Sequence, residues 1–178
     1  MDQKTYIANA LRTAAPVPAT CEHIHPQVVH CALGIAGEWA EVQVAFLQGN
    51  EIELEKEIGD IYWYIAVMAH QLGLANQLSM YRRVQLADES VAAGSVGDLV
   101  EMVKKQFAYG KKYKPVDYLG ALQNICDTLS QLIREMDFNS GNIWAKNIRK
   151  LKERYPEKFD ADKAINRDVK AENAAVGG

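Results

Sequence analysis

Cysteine is scarce in this sequence, at three residues in 178. An odd number, at Cys21, Cys31 and Cys126 with no disulfide-like spacing, argues against a disulfide framework. Reduced thiols are expected, and with them a cytoplasmic location. Long hydrophobic runs are also missing: the longest, Ile61 to Ala69, is too short to span a bilayer. The opening MDQKTYIANALRT has no apolar stretch of signal-peptide length. No membrane partner is therefore expected. An excess of basic charge is absent too, since 20 Lys and Arg stand against 23 Asp and Glu for a net charge of −3. That balance argues against a nucleic-acid-binding surface. Strand-like alternation is not sustained anywhere, and neither a glycine-rich phosphate loop nor a GxSxG elbow occurs.

What the chain has in quantity is helical pattern, and the expected class is all-α. The spacing predicts helices over about 4–14, 27–47, 51–72, 76–89, 96–108, 118–136 and 142–154. Gly49-Asn50, Gly73, Gly94 and Tyr109-Gly110 serve as breaks, and Asn139-Ser140-Gly141 as an N-cap. One domain over 1–170 is expected. It has a first hairpin at about 27–73, a second at about 96–136 and a C-terminal helix at 142–154, and residues 171–178 (AENAAVGG from Ala171) read as a flexible tail.

Four carboxylates stand out. Glu38 and Glu41 lie in GEWAE, and Glu57 and Asp60 in EKEIGDIYWY. Each pair is spaced i, i+3, so each occupies one face of its helix. Their neighbours are apolar: Ala36, Trp39, Val42 and Val44 around the first pair, Ile58, Ile61, Trp63, Tyr64 and Ile65 around the second. Two such helices side by side would converge four anions on one spot, which only a cation can neutralise. Hard oxygen donors select Mg²⁺, for which Mn²⁺ can substitute. In NIWAKNIRKLKERYP, Asn147, Lys150 and Arg154 fall at i, i+3, i+7 on one face. Lys146, Arg149 and Lys152 read as solvated. Trp39 and Trp63 read as core.

The ExxE pair, a linker and ExxD followed by aromatics resemble the all-α nucleotide pyrophosphohydrolases of the MazG type, in bacterial or phage form. HCALGIAGEWAE is similar to that family's lead-in to its first acidic helix, and NIRKLKERYPEKF matches its NxxKLxxRYPxxF tail. The resemblance covers roughly residues 6 to 168. It implies metal-dependent hydrolysis of (deoxy)nucleoside triphosphates between the α and β phosphates, giving nucleoside monophosphate and pyrophosphate. Glu38, Glu41, Glu57 and Asp60 would be the metal ligands, with Glu38 or Glu41 positioning the water. Asn147, Lys150 and Arg154 would face the phosphates, with Lys111 and Lys112 on a loop as a second basic pair. Tyr64 would line the base, with His30 near base or sugar. Assembly into dimers or tetramers is also implied, in a bacterial cytoplasm or a phage host's.

The second hairpin repeats the first. GDLVEMVKKQF sets Gly97, Asp98 and Glu101 against Gly37, Glu38 and Glu41, and NICDTLSQLIRE sets Asn124 and Asp127 against Glu57 and Asp60. Two tandem hairpins forming a pseudo-dimer with one intact site are expected, with Asp98 and Asp127 dispensable. The eroded copy also motivates the alternative of a nucleotide-binding or regulatory helical module without turnover. A zinc site from Cys21, His23, His25, His30 and Cys31 is disfavoured, because adjacent His30 and Cys31 point to different helix faces.

Overall fold

A computed structural model describes residues 1–14, 23–83, 90–166 and 168–176. Among them the chain is all-α, with eight helices: α1 (Gln3–Arg12), α2 (Pro26–Leu47), α3 (Glu51–Gln71), α4 (Ser90–Tyr109), α5 (Pro115–Glu135), α6 (Ser140–Arg154), α7 (Ala161–Ile165) and α8 (Val169–Val176). No helix among the described residues is long and apolar enough to cross a membrane.

The ends of these helices follow from local chemistry. Asn50 accepts from the Glu53 amide and Asn139 from the Asn142 amide, while His25 Nδ1 accepts from Gln27 N just before Pro26 at the first helical position. Gly49, Gly73 and Gly110 have φ of 64°, 70° and 65°, the left-handed conformation that ends α2, α3 and α4.

The α2–α3 hairpin packs its first helix on α4, which pairs with α5. On the other side, α3 packs against α1 and α6, and α8 closes over α6. Helix α3 is the hub, and its sequence shows why. Ile58, Ile61, Tyr62, Ile65, Ala66, Val67, Met68 and Ala69 leave almost no polar stripe, so it must be covered on several sides. Each fully buried Ile or Met side chain contributes roughly 1.5–3 kcal/mol.

Three boundaries differ from expectation. Residues 76–83 are turns and irregular backbone rather than the start of a helix, and 84–89 lie outside the described residues. Side chains supply that segment's hydrogen bonds: Met80 N donates to Gln3 Oε1, Gln3 Nε2 to Leu78 O, and Ser79 N to Gln123 Oε1. With donors and acceptors met by α1 and α5, the backbone has no need of a helical ladder. Gly94 does not interrupt α4, whose packing on α2 and α5 outweighs the ~1 kcal/mol helix penalty of a glycine. The tail expected to be flexible continues α8 up to Val176, anchored by Glu172, which is buried and paired with Arg154.

Candidate metal centre

The three-residue connection Gln48–Asn50 makes α2 and α3 antiparallel. Glu41 and Glu57 stand eight residues either side of Gly49, and Glu38 and Asp60 eleven. Mirror spacing about the turn puts the pairs at matching heights, and the helix periodicity turns them toward each other. Glu38, Glu41 and Glu57 meet: one carboxylate oxygen from each lies within 4.8 Å of the others. Among the described residues they form the one group of acidic, His or Cys side chains close enough to share a cation. Glu57 is buried at 4% exposure, Glu38 is half-buried and Glu41 exposed, so the trio runs from the core to the surface.

The fourth expected ligand is held differently. Asp60 accepts from Lys150 Nζ at 2.6 and 2.5 Å, one contact to each carboxylate oxygen, and from Asn147 Nδ2 at 2.6 Å. Lys150 is 2% exposed, so this is a buried ion pair. The contact requires close passage of α6 over α3, which Gly59 allows: a Cβ there would stand 3.1 Å from Asn147 Cβ. Tyr6 fixes the amide. Its hydroxyl donates to Asn147 Oδ1 at 3.0 Å, with Gly59 O at 3.2 Å, which leaves Nδ2 free to donate to Asp60.

These anions shape the acidity of the site. Burial, then the charges of Asp60, Glu57 and Glu41 and a hydrogen bond to Glu57, push Glu38 up to about 8. Burial and Asp60 also raise Glu57, against the opposing pull of Glu38's hydrogen bond and of Lys56, whose Nζ lies 3.1 Å from Glu57 Oε1. Without a cation, Glu38 therefore carries the proton at neutral pH and donates it to Glu57. Such a trio of hard oxygens, partly buried and forced to retain a proton, suits a divalent cation.

Around the trio lies an aromatic wall. The half-buried Tyr64 meets Trp63 edge-on at 4.9 Å and His30 at 5.5 Å. Burial, followed by Glu38 and Asp60, raises the Tyr64 hydroxyl to about 12. Gly34 makes room for this ring, since a Cβ at Gly34 would lie 2.3 Å from its Cζ. His30 lies within 3.3 Å of Gln27 Nε2, and burial lowers its pKa, so it is neutral at neutral pH. Trp63 is core as expected, its indole N–H directed at Ala10 O and Thr13 Oγ1.

Arg154 reaches the same region, since its charge acts on Tyr64, but its guanidinium is bidentate to Glu172, Nε–Oε1 at 2.7 Å and Nη2–Oε2 at 2.5 Å. Lys146 is not simply solvated; it pairs with Glu55 of α3. Lys111 and Lys112 are both exposed and stand apart from the carboxylates. Lys111 lies over the Tyr113 ring, and Tyr113 lines a cavity together with Gln71, Leu72 and His25. That end of α3 is about 16 Å along the helix from Asp60.

Among the described residues the second hairpin has no equivalent cluster. Asp98 and Asn124 are exposed, and Glu101 pairs with Lys104 and Lys105. Asp127 is buried and bound by Arg82 at 2.7 and 2.5 Å and by Gln123 at 2.9 Å. Asp60 and Asp127 thus receive the same treatment, a cation plus a side-chain amide. Of the disfavoured zinc set, Cys21 lies outside the described residues, His25 caps α2, and burial raises the Cys31 thiol to about 12.

Sequence reasoning missed Gly34, Gly59, Tyr6, Lys56 and Glu172. The two glycines carried a signal, because a glycine inside an apolar helix marks close approach. Tyr6 and Glu172 carried none, being remote in sequence from everything they touch. Comparison with family models, with curated proteins and with solved structures returns no match for the chain.

Proposed function

We propose that this protein is a divalent-metal-dependent pyrophosphohydrolase of (deoxy)nucleoside triphosphates, of the MazG-like type its motifs resemble. Hydrolysis between the α and β phosphates yields nucleoside monophosphate and pyrophosphate. The observation that carries the reading is the convergence of Glu38, Glu41 and Glu57 within 4.8 Å, with Asp60, Lys150 and Asn147 at their side. Acidic trios alone are common; one flanked by a buried lysine and an oriented amide offers both halves of a phosphate site.

Glu38, Glu41 and Glu57 would hold Mg²⁺ or Mn²⁺, with Asp60 joining them if it leaves Lys150. A bound ion supplies neutralised phosphate oxygens and a more acidic water. Glu38 is the better placed of the two candidate bases, because it lies half-buried against Glu57 while Glu41 is exposed. Lys150 and Asn147 bind phosphate oxygens when Asp60 turns away. Arg154 does the same when it exchanges Glu172 for substrate. Tyr64 and His30 offer the base a partly apolar wall. Lys111 and Lys112 have no part in this scheme. The two hairpins read as tandem copies forming a pseudo-dimer with one working site, in a chain that acts in the cytoplasm and self-associates.

One observation favours a second reading, a module that binds nucleotide without turnover: Asp60 and Arg154 are both already neutralised within the chain. Incubation with a panel of (d)NTPs and Mg²⁺ or Mn²⁺ separates the two. Pyrophosphate release supports the enzyme, whereas saturable nucleotide binding with no product at saturating metal supports the module.

A further inference from the structure

The face of α2 turned away from the fold has no place in the site. Val28, Cys31, Ala32, Ile35, Val42 and Ala45 point into the core. On the opposite side Leu33, Gly37, Ala40, Val44 and Leu47 are all exposed, spaced 4, 3, 4, 3. That is the a/d repeat of a helix seam, continuous over four turns. Leu33 is 62% exposed, Val44 52% and Leu47 83%. The helix carries no charged residue besides Glu38 and Glu41, both of the glutamate trio. By contrast, the outward positions of α6 include Arg149, Lys152 and Glu153. A solvated helix face looks like that of α6; the α2 face looks like a surface made to be covered.

We propose that two copies of this chain associate through α2, packed antiparallel about a two-fold axis passing between Gly37 and Ala40. The pattern is self-complementary in that arrangement: Leu33 of one copy faces Val44 of the other, and the small Gly37 and Ala40 meet at the crossing. A Cβ at Gly37 meets nothing within 4 Å, so the centre of the seam is open for a partner backbone. A 22-residue helix is about 33 Å long and about 10–12 Å across, so two copies bury roughly 700 Å² from α2 alone. Exposed Phe46 and Ile52 at the hairpin tip extend this toward the ~1,000 Å² at which specific interfaces begin. A second copy fits better than a bilayer, because the exposed Glu41 borders the seam and would be driven into lipid. The pairing is independent of the nucleotide reading and of which metal binds.

Sedimentation velocity on the full chain at tens of micromolar, without nucleotide, tests it. The wild type is expected to run as a dimer. L33E and V44K should each weaken association at least a hundredfold with the helical circular dichroism unchanged, since both side chains face solvent in the single chain. G37R guards against misfolding, because it replaces a poor helix former in open space and should abolish the dimer without lowering the unfolding temperature. The double variant L33E/V44K should regain the dimer, because the antiparallel seam sets the introduced opposite charges against each other. A parallel seam would set like charges together. A wild type monomeric at 100 micromolar, a dimer indifferent to L33E, V44K and G37R, or a double variant that stays monomeric overturns the proposal. So does a monomer that floats with phosphatidylcholine vesicles, which would assign the face to a membrane.

Discussion

Replacing Lys150 by Met removes the cation that contacts Asp60 directly while keeping the length and apolar stem of the side chain. In the wild type, Nζ sits 2.5 and 2.6 Å from the two Asp60 oxygens. Taking one partner from a buried ion pair costs about 3–5 kcal/mol, because the other charge stays behind unpaired. Asn147 still donates to Asp60, and the Asp60 side chain is 20% exposed, so the lower end of that range applies. For a chain of this size, about 3 kcal/mol lowers the melting temperature by roughly 6–12 °C. Lys150→Met should show that loss when melted in EDTA. In millimolar Mg²⁺ much of it should return, because an ion held by the neighbouring glutamates can take over the neutralisation of Asp60. The Mg²⁺-induced rise in melting temperature should therefore be larger in the variant than in the wild type. A wild-type melting temperature in EDTA, or a loss that Mg²⁺ leaves untouched, would refute the idea that Lys150 stands in for metal at Asp60.

Other expectations follow from the same contacts. Glu38 titrates near 8 in the folded chain against an ordinary value of 4.5. This raised folded value means its contribution to stability is fully present below about pH 4.5 and is lost as pH rises to about 8. In EDTA the melting temperature should fall across that window, and Mg²⁺ binding at pH 7 should release close to one proton, measurable by calorimetry in buffers of different ionisation enthalpy. A pH-independent metal affinity would contradict this. Gly34→Ala drives a methyl into the Tyr64 ring, so near-UV dichroism should change and KM for nucleotide should rise more than kcat falls; an unaltered Tyr64 signal would count against the close packing. Glu172→Gln loosens Arg154, and should tighten pyrophosphate binding about tenfold, or ~1.4 kcal/mol, as read by competition. Asp127, expected from the sequence to be dispensable, is buried in a bidentate pair with Arg82. Asp127→Ala should lower stability by about 1–3 kcal/mol on chemical denaturation while leaving kcat intact.

Much of this was legible in the sequence, for physical reasons. Helices α2, α3, α5 and α6 were legible because apolar periodicity and breakers such as Gly49, Gly73 and Asn139 act locally. The glutamate trio was legible because i, i+3 spacing on two helices joined by a short turn leaves little freedom. The partner of Asp60 was not: Lys150 was expected to face phosphate, and only the close α3–α6 passage at Gly59 puts it on the carboxylate. Arg154 was hidden in the same way, because nothing near it in sequence announces Glu172, eighteen residues on in a segment read as a tail. The stretch 76–83 misled because its residues suit a helix, while its backbone groups are satisfied by Gln3 and Gln123 from distant helices.

Phosphorus NMR of a nucleoside triphosphate incubated with the chain and Mg²⁺ reads the proposed reaction at its bond of cleavage. Resonances of nucleoside monophosphate and pyrophosphate should appear together in equal amounts, abolished by EDTA and lowered by orders of magnitude in Glu57→Gln. Nucleoside diphosphate with inorganic phosphate, or an unchanged triphosphate across every base offered, would contradict it.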